Sequence, residues 1–132
     1  MAVSLSTIAR TAEVQAILTA LGATGSKMKF FNGAIPAGVA TPAGTLLATL
    51  NWLSVPMGTA SAGGIAFDGS ANMTQTSSGF TAGTPTFVQL TTSADVVHAR
   101  YDLGGAPWTF AGTIAVSQNI TLTSLTSTAG NP

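Results

Sequence analysis

The chain has 132 residues, enough for one domain with a real hydrophobic core, and it contains no cysteine, which excludes disulfides and thiolate chemistry. Its four basic and four acidic residues cancel, which argues against nucleic-acid binding because that requires a basic patch. Charged residues make up only 6% of the chain, against about 25% in ordinary domains, so its surface opposes association poorly and we expect it to pack against other protein.

The first predicted element is a helix over residues 6–21. Ser6 or Thr7 can cap its start, and Gly22 is of a type that commonly follows a helix end. Apolar side chains recur at the i, i+3, i+4, i+7 spacing of one buried helix face, namely Val14, Ile17, Leu18 and Leu21. We expect this face to pack on a sheet or on a partner protein.

Strands are predicted for most of the chain after the helix, because 21 Thr favour pleated structure and 12 Ser favour turns. The first strand covers 27–31, with Met28 and Phe30 on one face. A turn at Asn32-Gly33 leads into a Pro-, Gly- and Ala-rich loop at 34–44. We expect this loop to cross the protein surface as an extended arm.

The next strand, at 45–53, is predicted to be central in its sheet because both of its faces are apolar. One face is expected to carry Leu46, Ala48, Leu50 and Trp52, and the other Leu47, Thr49, Asn51 and Leu53. Trp52 is therefore expected to lie in the core.

Later strands are predicted at 65–67, once or twice within 70–86, and as two hairpins that pair 87–92 with 96–102 and 109–116 with 119–127. Residues 128–132 are expected to form a flexible tail. The whole chain, 1–132, is thus predicted to be a single, mainly β domain. Its expected fold is a β-sandwich or jelly roll of seven to eight short antiparallel strands over 27–127, with one N-terminal α-helix.

Titratable residues cluster at His98, Arg100 and Asp102, which strand alternation places on one face. A hydrolase would use His98 as the base, an aspartate to orient it and a serine as the nucleophile. The sequence contains no G-x-S-x-G turn to hold such a serine. We therefore favour a polar strip in which His98 and Arg100 share Asp102, and we expect no enzymatic activity.

The sequence also predicts no metal, cofactor or membrane span. One His and four scattered acidic residues do not supply the clustered ligands of a metal site, and no P-loop or complete G-x-G-x-x-G motif appears. The uncharged stretch 30–67 is interrupted by Pro36, Pro42 and Pro56, so it is too broken to span a bilayer. The N-terminus lacks the basic and apolar regions of a signal peptide, so we expect synthesis in the cytoplasm.

Several stretches of the sequence carry a resemblance to a known family. They are, in chain order, ARTAEVQAILTAL, KMKFFNG followed by the Pro/Gly-rich loop, GTLLATL, PMGTASAGGIAF and the Thr-rich NITLTSLT. In their order and composition these stretches resemble small virion proteins of tailed bacteriophages. The chain is similar to the jelly-roll cement, or decoration, proteins that sit on the outside of phage heads. It departs from the commoner pattern at the turn near 92–96, which lacks the usual Asp-Gly.

The resemblance implies a structural, non-enzymatic protein that needs no cofactor. Its expected partners are the major capsid protein and further copies of itself, as a homodimer or homotrimer, with no nucleic acid and no membrane. Its expected location is the capsid exterior of the virion, after synthesis in the bacterial cytoplasm. Two alternatives stay open: a tail or neck subunit of the same fold, and a carbohydrate-binding jelly roll that uses Trp108, Tyr101 and Phe80 or Phe110.

Partner contacts are expected where exposure and flexibility of the chain are greatest, in the N-terminal segment 2–10 and in residues 35–42 of the loop. Trp108 follows a Gly-Gly-Ala-Pro loop and either caps the core or anchors a partner. The expected contact residues are Ala2, Val3, Leu5, Ile8, Arg10, Ile35, Pro36, Val39, Pro42 and Trp108.

Overall fold

A computed structural model shows that the protein is mainly β with one helix. The structure describes residues 6–21, 25–52, 59–61, 64–67, 73–75, 80–105, 108–109, 114 and 125–128. The elements are α1 (Thr7–Leu21), β1 (Lys27–Phe31), β2 (Leu46–Trp52), β3 (Thr59–Ser61), β4 (Gly64–Phe67), β5 (Met73–Gln75), β6 (Phe87–Thr91), β7 (Val97–Asp102), β8 (Gly104–Gly105), β9 (Trp108–Thr109) and β10 (Leu125–Thr128).

Helix α1 begins where the sequence predicts. The Ser6 hydroxyl oxygen accepts the Ala9 N–H at 3.2 Å, which satisfies one of the backbone donors left open at a helix start. The predicted apolar face is confirmed, because Val14, Leu18 and Leu21 are buried and Ile17 is half-buried against them. At the other end, the buried Ser26 hydroxyl donates to the Leu21 carbonyl at 2.8 Å. Gly22, the predicted stop, lies outside the described residues.

The main sheet has five strands in the order β5-β2-β1-β6-β7, and all neighbouring pairs are antiparallel. Strand β1 matches the prediction for 27–31, and β2 lies inside the sheet, between β5 and β1, as its two apolar faces predict. Strands β6 and β7 form the predicted hairpin.

The core lies between this sheet and α1. Met28 and Phe30 of β1 are buried on the core face, as predicted, and Trp52 of β2 is 1% exposed. The core cluster that joins the sheet to the helix consists of Val14, Leu18, Leu21, Met28, Phe30, Leu47, Ala48, Leu50, Trp52, Phe80, Val88, Leu90, Leu103 and Ile114. We call the sheet face that carries Met28 the inner face and the opposite one the outer face.

A β-bulge in β2 corrects the predicted orientation of Leu46 and Leu47. Phe30 pairs with Ala48 whereas Phe31 pairs with Leu46, so Leu47 is an extra residue in the ladder. Leu47 is fully buried in the core cluster, while Leu46 is only half-buried. Strict alternation placed Leu46 with the core residues and Leu47 on the other face, and the extra residue reverses this.

The turn of the β6–β7 hairpin needs no Asp-Gly. Asp95 takes the left-handed conformation with φ 66°, which Asp tolerates better than most residues. The Asp95 N–H bonds to the Thr92 carbonyl at 3.0 Å, and the Thr92 N–H bonds to the Val96 carbonyl at 3.0 Å. The hairpin thus closes without the Asp-Gly pair, with Asp95 in the place that glycine commonly takes.

The remaining strands form a three-stranded sheet in the order β10-β4-β3 and a two-stranded pair, β8-β9. The predicted hairpin of 109–116 with 119–127 is corrected here. β10 pairs with β4, and Ile114 forms an isolated bridge with Gly83. Residues 110–113, 115–124 and 129–132, including most of the predicted flexible tail, lie outside the described residues.

Candidate interaction face

The outer face of the main sheet carries most of the charged side chains that the structure describes. Strand alternation places Lys27 and Lys29 of β1, Gln89 of β6 and Arg100 of β7 on this face. Lys29, Gln89 and Arg100 lie in one row, because Lys29 pairs with Gln89 and Gln89 pairs with Arg100. The loop at 34–44 lies over the same face, since its backbone contacts Arg100.

One carboxylate ties two lysines of β1 to the hairpin turn. Asp95 Oδ1 accepts from Lys27 Nζ at 2.9 Å and from Lys29 Nζ at 2.7 Å. The hydrogen bond from Lys29, and then that from Lys27, holds the pKa of Asp95 below its ordinary value. Because Asp95 is half exposed, these pairs contribute modestly to stability, but they fix the turn beside the outer face.

Arg100 holds the loop at 34–44 against the sheet. Its Nε donates to Gln89 Oε1 at 2.9 Å, and Gln89 is only 5% exposed. Its Nη1 donates to the carbonyls of Pro36, at 3.4 Å, and of Gly38, and its Nη2 donates to the Ala40 carbonyl at 2.6 Å. The acceptors come from alternate residues of the loop, so one planar guanidinium sets the path of its apex.

The ends of the same loop are held together at its base. Asn32 Oδ1 accepts the Thr45 N–H at 2.6 Å, and the Asn32 N–H bonds to the Thr45 carbonyl at 3.1 Å. A Cβ on Gly44 would lie 1.7 Å from the Asn32 carbonyl oxygen, so only glycine fits there. The Thr86 hydroxyl donates to the Gly33 carbonyl at 2.6 Å. The loop is therefore fixed at its base and at its apex.

The predicted sharing of Asp102 by His98 and Arg100 is wrong. Arg100 bonds to neutral oxygens of Gln89 and of the loop, because the loop backbone comes within its reach. Asp102 Oδ1 instead accepts the Gly104 N–H at 2.7 Å, and His98 is exposed on a strand whose register shifts beside it. These residues therefore do not form the hydrogen-bonded chain that a hydrolytic triad requires.

The expected contact residues are divided between exposed and half-buried positions. Ile8 and Val39 are 83% and 79% exposed, and Ile35 is exposed as well. Arg10, Pro36 and Pro42 are half-buried, and Arg10 donates to the Thr7 hydroxyl at 3.4 Å. Ala2, Val3 and Leu5 lie outside the described residues, as does the side chain of Trp108, whose backbone forms part of β9.

One exposed apolar residue of the hairpin turn, Val96, is absent from the predicted set although it is 54% exposed. Its sequence neighbourhood, Ala94-Asp95-Val96, could have indicated it, since an apolar residue in a tight turn has little to pack against. Strand β7 and the loop also enclose a groove of about 280 Å³, which sequence spacing could not reveal.

The aromatic residues suggested for sugar binding are only partly available. Phe80 is buried in the core cluster, and Tyr101 is half-buried against it. The side chains of Trp108 and Phe110 lie outside the described residues. Two of the four aromatics therefore belong to the core and offer no exposed platform for a sugar ring.

Metal-ligand residues do not gather in groups of three or more within the described part of the chain. No helix among the described residues has the length and apolarity needed to cross a bilayer. Comparisons of the chain with family models, with curated proteins and with solved structures found no match.

Proposed function

We propose that the protein is a non-enzymatic cement, or decoration, protein that binds the outside of a tailed-phage capsid and stabilises the lattice of major capsid protein. It is made in the bacterial cytoplasm and acts in the virion as a homodimer or homotrimer. The observation that carries the proposal is the scarcity of charge, 6% of residues, on a chain with exposed apolar side chains. A permanent protein environment makes such a surface tolerable.

The bonds that the charged side chains make within the protein support the same proposal. Lys27, Lys29 and Asp95 bond to one another, and Arg100 bonds to the loop and to Gln89. These charges hold the protein's own structure together, so they do little to keep other protein away. Contacts with a neighbouring subunit would bury an uncharged surface of Ser, Thr and Ala at little desolvation cost, because few charges must be stripped of water.

We also propose that the strands complete a β-sandwich or jelly roll of seven to eight antiparallel strands. Its support is the presence of a second sheet, β10-β4-β3, beside the five-stranded one. Helix α1 contacts β3 and β4 of the second sheet, while its buried residues join the core of the first. An experimental structure whose two sheets do not share one core would contradict this fold.

The contact surface we propose is the loop at 34–44 together with the start of α1. Val39 projects from the loop apex that Arg100 holds, and a fixed apolar residue loses little conformational freedom on binding. Ile8 projects from the first turn of α1, beside a shallow apolar groove of about 380 Å³.

Co-sedimentation of the purified protein with mature phage heads assembled without it tests the proposal, with separated tails as the control. We expect saturable binding to heads at a fixed ratio to the major capsid protein. Binding to tails alone would instead support the tail or neck subunit. Binding to neither, together with hits on a glycan array, would support the carbohydrate-binding alternative.

A matched pair of valine substitutions tests the contact surface. Val39→Ser should weaken head binding about tenfold or more, since burying a valine contributes roughly 1.5 kcal/mol or more. Val96→Ser is the control, because Val96 is also exposed but lies in the hairpin turn, outside the proposed surface. Equal affinities for the two variants would remove Val39 from the contact.

A further inference from the structure

The turn at Asn32-Gly33, which follows β1 and leads into the loop at 34–44, places a side-chain amide beside an unshielded backbone nitrogen. The chain contains five asparagines, and Asn32 is the one that a glycine follows. Glycine has no side chain to cover its own nitrogen, and Gly33 is exposed, with φ 91°. Asparagine is a thermolabile residue because a neighbouring nitrogen can attack its amide, so this turn is the place in the chain where such attack is least hindered.

The Gly33 nitrogen is not held by a hydrogen bond within the described part of the chain. Its N–H donates to no acceptor there, whereas the backbone N–H groups of Asn32 and Thr45 at the loop base are both bonded. The Gly33 carbonyl accepts the Thr86 hydroxyl at 2.6 Å, which holds the residue in place without occupying its nitrogen. Loss of the N–H proton therefore breaks no hydrogen bond in the described structure, so the nitrogen is available as a nucleophile.

The side-chain amide of Asn32 is polarised for attack. Its Oδ1 accepts the Thr45 N–H at 2.6 Å, and a backbone donor at this oxygen stabilises the negative charge that develops when a nucleophile adds to Cγ. The amide nitrogen, Nδ2, has no hydrogen-bond partner among the described residues, and Asn32 is half-exposed. The amide thus combines an activated carbonyl with a leaving group that can depart into water.

We propose that Asn32 is a site of spontaneous modification, at which the chain converts this amide to a carboxylate without an enzyme or a cofactor. The Gly33 nitrogen gives its proton to water and bonds to Cγ of Asn32, the Cγ–Nδ2 bond breaks, and Nδ2 takes up a proton from water and leaves as ammonia. The product is a five-membered succinimide ring. Water then opens one of the two carbonyl–nitrogen bonds of the ring, which gives either aspartate or isoaspartate. Water is the one co-reactant, and nothing is oxidised or reduced.

The two products affect the base of the loop differently. Aspartate keeps an oxygen where the Thr45 N–H donates, and an ionised acceptor strengthens that hydrogen bond. Isoaspartate routes the backbone through Cγ and lengthens it by one carbon. The extra carbon moves Gly33 away from the Thr86 hydroxyl and from the Gly44 backbone, against which it lies closely. The base of the loop therefore stays closed in the aspartate form and opens in the isoaspartate form.

Incubation of the pure protein in warm, mildly alkaline buffer, followed by peptide mapping with mass spectrometry, tests the site. We expect the peptide that contains Asn32 to gain the mass difference between an amide and a carboxylic acid. The peptide that contains Asn51 is the internal control, because the bulky Trp52 shields the nitrogen that follows it. Its mass should stay unchanged over the same period. No mass gain at Asn32, or equal gains in the two peptides, would overturn the proposal.

The same incubation in urea measures what the fold contributes. The unfolded chain keeps the Asn-Gly sequence but loses the Thr45 N–H donor to Oδ1. The native protein should therefore react at Asn32 at least as fast as the unfolded chain. A slower reaction in the native protein would show that the fold protects the amide, and it would overturn the proposal.

Elastase cleavage of the loop tests the effect of the two products, because proteolysis concentrates where a loop is released. In incubated wild-type protein, isoaspartyl methyltransferase labelling with peptide mapping counts the isoaspartate at position 32, and loop cleavage should rise in proportion to it. Freshly purified Asn32→Asp is the matched variant, since it carries the other product, and its loop should be cleaved no faster than that of fresh wild type. Equal cleavage of fresh and isoaspartate-containing protein would show that the loop base stays closed and would overturn this effect.

Discussion

Replacing Arg100 by methionine should release the loop at 34–44 without unfolding the protein. Methionine keeps the apolar stem of the side chain and removes all donors of the guanidinium. Gln89 then keeps a buried, unbonded amide oxygen, which costs about 1–3 kcal/mol. Gly38 and Ala40 are exposed, so their carbonyls can bond to water instead, and losing their hydrogen bonds to Arg100 adds little to the destabilisation.

The expected loss of unfolding free energy is therefore about 1–3 kcal/mol, most of it from the buried Gln89. For a chain of this length that corresponds to a fall in Tm of roughly 4–12 °C. Urea unfolding measures the free energy, with the fluorescence of the core residue Trp52 contributing to the signal. Elastase, which cleaves after small apolar residues, measures the release of the loop.

Two matched variants accompany Arg100→Met. Arg100→Lys keeps the charge but lacks the planar fork, so its unfolding free energy should fall between those of the wild type and the methionine variant. His98→Gln changes an exposed neighbour on β7 and should stay within about 0.5 kcal/mol of the wild type. The reasoning is refuted if Arg100→Met matches His98→Gln in stability and elastase cleaves both at the same rate.

Four further substitutions probe other parts of the loop, the turn and the helix. Asparagine at position 95 tolerates the left-handed backbone, but Asp95→Asn removes the ion pairs with both lysines. At pH 7 the free energy of unfolding in urea should therefore fall by about 0.5–1 kcal/mol. That difference should vanish as pH falls below 3.8 through the lowered pKa of Asp95, because protonation then removes the same charge. Gly44→Ala should lower stability by about 2 kcal/mol or more, whereas Gly38→Ala meets open space and should cost only the left-handed strain of about 1–2 kcal/mol. Ser6→Ala should cost about 1 kcal/mol in thermal unfolding, through loss of the helix cap.

Local patterns in the sequence were enough to predict the helix and the central strands. The face of α1 and the alternation of Met28 and Phe30 follow from side-chain periods that are properties of the backbone alone. The bulge at Leu47 breaks such a period by one residue, and both faces of β2 are apolar, so hydrophobicity could not reveal the break. Only the strand pairing in the structure shows that Leu47 is buried and Leu46 is not.

The fixed loop was beyond prediction for a different reason. Arg100 and the carbonyls that it binds are separated by some 60 residues, and backbone carbonyls carry no sequence signal. Strand alternation correctly placed Arg100 and Asp102 on one face but could not show that a loop backbone competes with Asp102 for the guanidinium. Residue identity indicates which bonds a side chain can make, and long-range folding decides which it does make.

In a chain with so few charges, the placement of each one has consequences. Lys27, Lys29, Asp95 and Arg100 all lie around one sheet face, where they join the hairpin turn, the sheet and the loop into one unit. That arrangement fixes the apex that carries Val39. A rigid apolar apex favours a stable contact, because little motion is lost on binding. The few charges therefore act on any partner contact mainly through the shape that they give this one face.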